Sequence, residues 1–358
     1  MKVLLIGEFS GVHTDLANAL KKRGVTVVTA SHGDAFKNYP RDIDLTATGR
    51  VRFIRQLKIL RNYLYLTSLI VKEKFDVIQI INPGIFPKPI DQFFINFLLS
   101  NKTKKFLLAC GDDDVIWDAY RNKTYRYYAF DGMLKHDPGS KIIIWEQERT
   151  RRLSEKLRQG VQTIIPNCVE YKLAYERRYK NLPFIPLSID VEKLPFDIAS
   201  KDYSKIRILH GVNKGREGVK GTYFIKAALQ KIVEKYAEKV EVIITESLPF
   251  NEYIQILKKV NVVLDQPYGY SPSMNALYSM NFGCVVFSGA EPEYLDSLNI
   301  KESPLINMLP DADDIFQKVD QLITSGKVEE KGKQSHDFVK NYHSINKNVE
   351  KYLKVWQK

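Results

Sequence analysis

The sequence predicts an α/β protein made of two successive Rossmann-like domains, and three observations lead there. At 358 residues with 44% hydrophobic content the chain exceeds what one core serves, since domains cluster near ~100 to 200 residues. Short apolar strands alternate with helical patterns through both halves, as in a parallel sheet. Residues 261–289, NVVLDQPYGYSPSMNALYSMNFGCVVFSG, read as a strand, a polar Gly/Ser/Pro loop, a helix, a glycine and a second strand. Such loops gather ligands, because they leave the carboxyl ends of strands and enter helices whose first N–H groups attract anions.

The first half opens with KVLLIG as a strand, EFSGVHTDLANALKKRG as a glycine loop and helix, and VTVVTA as a second strand. Leu16, Ala19 and Leu20 share a helical face, and Gly24 closes that helix. Only Gly7 and Gly11 occupy the loop, so the G-x-G-x-x-G spacing of dinucleotide binders is missing. Residues 50–74 form a long helix in which Arg50, Arg52, Arg55, Lys58 and Arg61 interleave with Phe53, Ile54, Leu57, Ile59 and Leu60. Two readings stay open for it: a core-facing helix with a solvated basic face, or a basic amphipathic helix at an anionic membrane surface. Strands at 75–82 and 104–111 flank an apolar helix near 88–100. The turn Gly111-Asp112-Asp113-Asp114 follows, either a helix N-cap at the positive end of a dipole or a metal cluster. From 115 to 160 the pattern loosens into a stretch rich in Tyr, Trp and Arg, and a strand at 161–166 with a helix at 169–180 completes a first domain, 1–185.

The linker LPFIPLSIDVEKLPF carries three prolines into a second domain, 186–340. There, IRILHG reads as a strand and VNKGREGVKG as a flexible loop bearing Lys214, Arg216 and Lys220, ahead of a helix. VEVIIT, NEYIQILKKV and NVVLD continue the alternation into residues 261–289, and helical segments near 312–324 and 344–356 follow. A final helix is expected within 341–358.

These motifs resemble the retaining glycosyltransferases of GT-B fold (group 1, family 4-like), whose two Rossmann-like domains face each other across a cleft and whose last helix, here within 341–358, crosses back onto the first domain. The resemblance rests on Asp265 at a strand end, Asn275-Ala276-Leu277 opening a helix, Gly283-Cys284-Val285-Val286 after it, the Pro186 to Asp190 linker, and Arg216 with Lys220-Gly221 some 45 to 60 residues before the loop. It implies a hexosyltransferase moving a sugar, with retention, from a nucleotide diphosphate sugar to a glycan or lipid-linked acceptor. The setting it implies is bacterial surface polysaccharide assembly, such as capsule or lipopolysaccharide. By the resemblance Arg216, Lys220 and Gly221 hold the diphosphate, Asn275 the ribose, and Asp265 or Gln266 with Gly269, Tyr270 and Ser271 the sugar. Gly11 to His13 and Asp112 or Asp113 come from the facing domain, with Asp265, His13 and Asp112 nearest the chemistry and His210 as a further cleft residue. The aromatic stretch after residue 115 then fits an acceptor-binding insertion, or a plain buried cluster.

No metal or organic cofactor is expected, because two cations and a helix N-terminus suffice to neutralise a leaving diphosphate. The family's front-face attack, in which the leaving phosphate takes the acceptor proton, also requires no obligatory base. Two departures stand out. The paired glutamates of the family, with seven residues between them, are replaced by Asp265 or Gln266 and by Asn275, whose amide binds a ribose hydroxyl but cannot act as a base. The histidine that related enzymes often place after the strand ending at Cys110 is missing. A noncatalytic nucleotide- or glycan-binding relative and a nucleotide-sugar epimerase are therefore the rival readings.

The formal charge of +12 favours a polyanionic partner. The basic residues are dispersed and match no nucleic-acid module, so no nucleic acid is expected. Cys110, Cys168 and Cys284 are odd in number and far apart, which gives neither a disulfide framework nor a zinc site. MKVLLIG runs straight into Glu8, and no apolar run approaches the ~18 residues of a spanning helix. The expectation is a cytoplasmic protein, soluble or peripheral on the inner face of a membrane.

Overall fold

The computed structural model describes residues 1–136 and 144–357. In chain order the first half contains β1 (Lys2–Ile6), α1 (Val12–Lys21), β2 (Thr26–Ser31), β3 (Ile43–Asp44), α2 (Arg52–Glu73), β4 (Val77–Ile80) and α3 (Ile90–Ser100). It continues through β5 (Lys104–Ala109), α4 (Asp114–Arg121), α5 (Ala129–His136), α6 (Glu148–Gln159), β6 (Thr163–Pro166) and α7 (Val169–Tyr175). The second half runs β7 (Ile206–Val212), α8 (Thr222–Tyr236), β8 (Val240–Glu246), α9 (Phe250–Leu257), β9 (Val262–Leu264), α10 (Met274–Asn281), β10 (Val285–Ser288), α11 (Pro292–Leu298) and β11 (Ile306–Asn307). Helices α12 (Ala312–Ser325), α13 (Val328–Tyr342) and α14 (Ile345–Gln357) follow.

The strands form two sheets, six-stranded in the order β3-β2-β1-β4-β5-β6 and five-stranded in the order β11-β10-β9-β7-β8. All pairings within them are parallel. Val3, Leu4, Leu5 and Ile6 of β1 are fully buried; a parallel strand covered by helices on both faces has no solvent side, so its sequence is apolar without alternation. In each sheet the chain order reverses beside one strand, β1 in the first and β7 in the second. At such a switch point the loops on either side diverge and leave a crevice beyond the carboxyl ends.

Two of the joints between the halves lie where the chain crosses from one to the other. Ile189 pairs with Ser344, its N–H donating to His343 O and its carbonyl accepting from Ile345 N–H, both at 2.9 Å. His343 lies under this junction, donating through Nδ1 to Leu187 O at 2.6 Å and accepting from the Tyr294 hydroxyl at 2.7 Å. Helix α14 then packs on α1 of the first half. Trp356 is buried there, its indole N–H donating to Gln79 Oε1 at 3.2 Å.

Several elements escape the sequence pattern. The loosened stretch contains α4, α5 and α6, while its residues 137–143 lie outside the described residues. Helix α6, ERTRRLSEKLRQ, reads as loop because ion pairs rather than an apolar stripe tie it down. Arg151 pairs with Asp118 at 2.7 Å and buried Arg158 with buried Asp114 at 2.7 Å. Short β3, α11 and α13 add to this, and α7 stops at Tyr175, short of the expected 180.

Candidate functional site

A cavity of about 620 Å³ lies between the carboxyl ends of the two sheets and is lined from both halves. The first half contributes Ser10, Lys37, Gly111, Asp112, Glu170 and the aromatic rings of Tyr128, Phe130, Trp145 and Tyr171. The second contributes three loops: Gly211 to Lys220 after β7, Thr245 to Phe250 after β8, and Gln266 to Asn275 after β9.

The β7–α8 loop delivers the cations. Arg216 is exposed at the cleft and makes no ion pair among the described residues. Lys220 donates to Gln266 Oε1 at 2.8 Å and reaches Asp265 Oδ1 at 3.4 Å. Gly221 starts α8 with φ +61°, and a Cβ there would sit 2.4 Å from Pro267 Cγ, so the position accepts only glycine and locks the two loops together.

Asp265 does not line the cavity. It is buried beneath the loop, where Oδ1 accepts from Lys220 and from Asn275 Nδ2 at 2.9 Å, and Oδ2 accepts from the hydroxyls of Ser273 at 2.7 Å and Ser288 at 3.0 Å. Burial pushes its carboxyl up, but Lys220 and the three hydrogen bonds outweigh that and hold it below the usual carboxylate range. With both oxygens engaged it is a fixed anion that positions Lys220 and Asn275, which corrects its assignment beside the sugar. Gln266, Gly269, Ser271 and Asn275 do line the cavity.

The tip of the β9–α10 loop is already occupied. Glu170, from the first turn of α7 in the opposite half, accepts from Tyr270 N–H at 2.5 Å, Ser271 N–H at 3.2 Å and the Ser271 hydroxyl at 2.6 Å. Successive N–H groups with a hydroxyl form a concave anion-binding nest, and here the anion is an internal carboxylate that ties the halves together. Burial pushes the Glu170 carboxyl up, with these donors pulling it back. No local pattern marks Glu170 in the sequence; its place just past the carboxyl end of β6 is the one clue.

Besides Gly221, four other expected residues lie away from the cavity lining. Gly11, at φ +90°, is closed in by Tyr39 and Tyr278, whose Cε1 and hydroxyl would lie 2.9 and 3.2 Å from a Cβ there. The first N–H groups of α1 are satisfied by Glu8, which accepts from Gly11 N–H at 3.0 Å and Thr14 N–H at 2.9 Å, leaving no anion site there. His13 is buried, donating to Gly7 O at 2.8 Å and accepting from Gln79 at 3.1 Å, so it braces β1 against β4 and α14. His210, fully buried, donates to Leu264 O at 2.8 Å and accepts from the Thr222 hydroxyl at 3.1 Å, fixing the start of α8. Burial lowers both histidines to about 4, so near neutral pH they are uncharged spacers. Tyr270 is buried against the first half, where its hydroxyl accepts from Arg126 N–H and the Arg126 guanidinium lies 4.8 Å from its ring.

The acidic triplet diverges. Asp113 caps α4 by accepting from Val115 and Ile116 N–H at 2.9 and 3.1 Å, and Asp114 pairs with Arg158. Asp112 alone lines the cleft, accepting from the Tyr128 hydroxyl at 2.6 Å. Burial raises its carboxyl, with Tyr128 and the facing Arg216 pulling it down. The cleft thus offers Asp112 and Glu170 with Lys37, itself paired with Asp34, on the first half and Arg216 with Lys220 on the second, and no histidine among the described residues lines it.

No protein-family model and no curated protein sequence matches this chain. Solved structures do. Sucrose-phosphate synthase from Thermosynechococcus elongatus is similar with TM-score 0.66 at 15% identity, over 100% of this chain and 98% of its own. HepE from Anabaena, in complex with UDP-glucose, gives 0.61 at 12% over 99% and 100%. UDP-GlcNAc 2-epimerase from Neisseria meningitidis, bound to UDP-GlcNAc, gives 0.54 at 13% over 99% and 99%. At these identities the likeness is one of fold, and it runs the length of the molecule: two parallel Rossmann-like sheets across a cleft, with a last helix on the first, give this chain the GT-B fold.

Proposed function

We propose that this protein is a glycosyltransferase that transfers a hexosyl group, with retention, from a nucleotide diphosphate sugar to a glycan or lipid-linked acceptor. One observation carries the reading: Arg216, free of any ion pair among the described residues, and Lys220, held by Gln266, flank the β9–α10 loop on one wall of the cleft. Those cations fit a leaving diphosphate, whose developing charge they would stabilise at the transition state. Asn275 would bind the ribose through the amide oxygen that its bond to Asp265 leaves open. Tyr128, Phe130, Trp145 and Tyr171 on the opposite wall fit sugar faces of an acceptor. The proteins of like fold solved with UDP sugars support this reading. A setting in surface polysaccharide assembly, capsule or lipopolysaccharide, and a cytoplasmic, peripheral location belong to the same proposal.

A second reading has support in the cleft itself. Asp112 and Glu170 are carboxylates pushed up by burial, a property that suits proton transfer at a sugar carbon, and proteins of like fold include an epimerase. The test is a thermal-shift panel of nucleoside diphosphates and their sugar conjugates, followed by NMR of products with and without acceptor saccharides. Glycoside formed only with acceptor, its anomeric configuration that of the donor, is expected. Conversion of donor without acceptor would give the epimerase reading, and no shift with any nucleotide would overturn both.

A further inference from the structure

We propose that α2 docks the protein on an anionic lipid surface, with the mouth of the cleft beside the bilayer. Ile59, Asn62, Leu66 and Ile70 make its buried side. Phe53, Leu57, Leu60, Leu64 and Val71 recur at three-, four- and seven-residue intervals and therefore form a second stripe, between 43% and 70% exposed. A helix that needs one apolar face to fold and carries another in water has an unmet partner. Residues 51–57 are exposed throughout, so the first turns stand clear of the body.

Charge selects the occupant. Helix α2 carries Arg52, Arg55, Lys58, Arg61 and Lys72 against Glu73 alone, and Arg50 precedes it. By helical spacing Arg61 and Lys72 run along one edge of the stripe, and an apolar stripe beside cations suits acyl chains beneath anionic headgroups. A second copy would set two basic helices face to face, which like charge opposes. Nucleic acid would meet the cations and leave the stripe in water. At its far end the stripe continues into an open groove of about 680 Å³ that includes Val71, Lys74, Lys102 and Lys104. Orientation follows from topology: α2 follows the carboxyl end of β3 and returns before β4, so its free end lies on the cleft side of the sheet. A lipid-linked acceptor could then enter the cleft from the bilayer. That last step rests on the transferase reading, whereas docking itself does not.

The test is co-sedimentation of the full chain with vesicles of phosphatidylcholine alone and of an equal mixture with phosphatidylglycerol. Binding is expected only to the mixture and to weaken with salt. Leu57→Asp with Leu64→Asp, and separately Arg61→Glu with Lys72→Glu, should each lower it at least about ten-fold, with far-UV circular dichroism unchanged. Equal binding to both vesicles, or unchanged binding in either double variant, overturns the proposal. So does a wild-type dimer that the leucine variant turns into a monomer. Nucleotide thermal shifts in the same variants keep the two readings apart: docking without any nucleotide response sinks the transferase reading and leaves this one standing.

Discussion

Removing the Glu170 carboxylate should tighten nucleotide-sugar binding. The carboxylate spans the cleft and occupies the Tyr270–Ser271 nest through three donors at 2.5, 3.2 and 2.6 Å. Bonds to a charged acceptor contribute about 1.5 to 3 kcal/mol each in favourable cases, but this carboxylate is also buried, and its raised pKa shows that desolvation opposes them. A net closing free energy of about 2 kcal/mol leaves roughly one molecule in thirty open, and a ligand that needs the nest binds weaker by that factor. If the donor sugar takes the place expected for it at Gly269, Tyr270 and Ser271, Glu170→Ala should therefore bind a nucleotide diphosphate sugar about 10- to 30-fold tighter. Glu170→Gln, whose amide oxygen still accepts from both N–H groups, should fall between it and the wild type. Titration calorimetry with the nucleotide sugar chosen by thermal shift reads the effect, and hydrogen exchange at the Tyr270 and Ser271 amides reads the opening directly. Unchanged or weaker affinity in a Glu170→Ala protein that still melts cooperatively would refute the argument.

Arg216→Ala should weaken nucleotide binding by about 1 to 3 kcal/mol without lowering Tm, because Arg216 is exposed and without an ion pair among the described residues. Lys220→Ala should cost similar affinity and stability as well, since it strips buried Asp265 of its cation; equal melting of the two variants would contradict this. Asp265→Ala should destabilise by about 3 to 5 kcal/mol, leaving Lys220, Ser273, Asn275 and Ser288 without their acceptor, as urea unfolding can measure. Buried His13 stays neutral to about 4 in the fold, while an unfolded chain protonates it near 6.5. Its contribution is therefore present above 6.5 and lost as pH falls to about 4, at up to ~1.4 kcal/mol per pH unit. His13→Gln should flatten stability against pH by about one proton across that window, and an identical slope would exclude the histidine as the cause.

Much of the fold is legible locally. Strands such as KVLLI and IRILHGV announce a buried parallel sheet because both their faces are covered, and Gly221 marks a tight approach because its φ and Pro267 exclude a side chain. The same locality explains the misses. Helix α6 is held by ion pairs to Asp114 and Asp118, which no periodicity reveals. Gly11 and His13 sit where a glycine loop enters a helix and looks like a phosphate site, yet Glu8, only three residues before Gly11, takes the helix N-terminus and Gln79 takes the imidazole.

By itself the sequence determined the alternation of strands and helices, the mixed basic and apolar character of α2, and the placing of Arg216, Lys220 and Gln266 on loops at strand ends with Asn275 at the start of the helix that follows. Each of these depends on spacing along the chain, which is written residue by residue. Only the tertiary structure decided which groups face the cleft. Asp265 turned inward because three donors and a lysine converge on it, His210 because Leu264 O and Thr222 claim both ring nitrogens, and Glu170 came into the site from a hundred residues away. Side chains of one type differ in role by which partners reach them first, and that is settled by packing between elements distant in sequence.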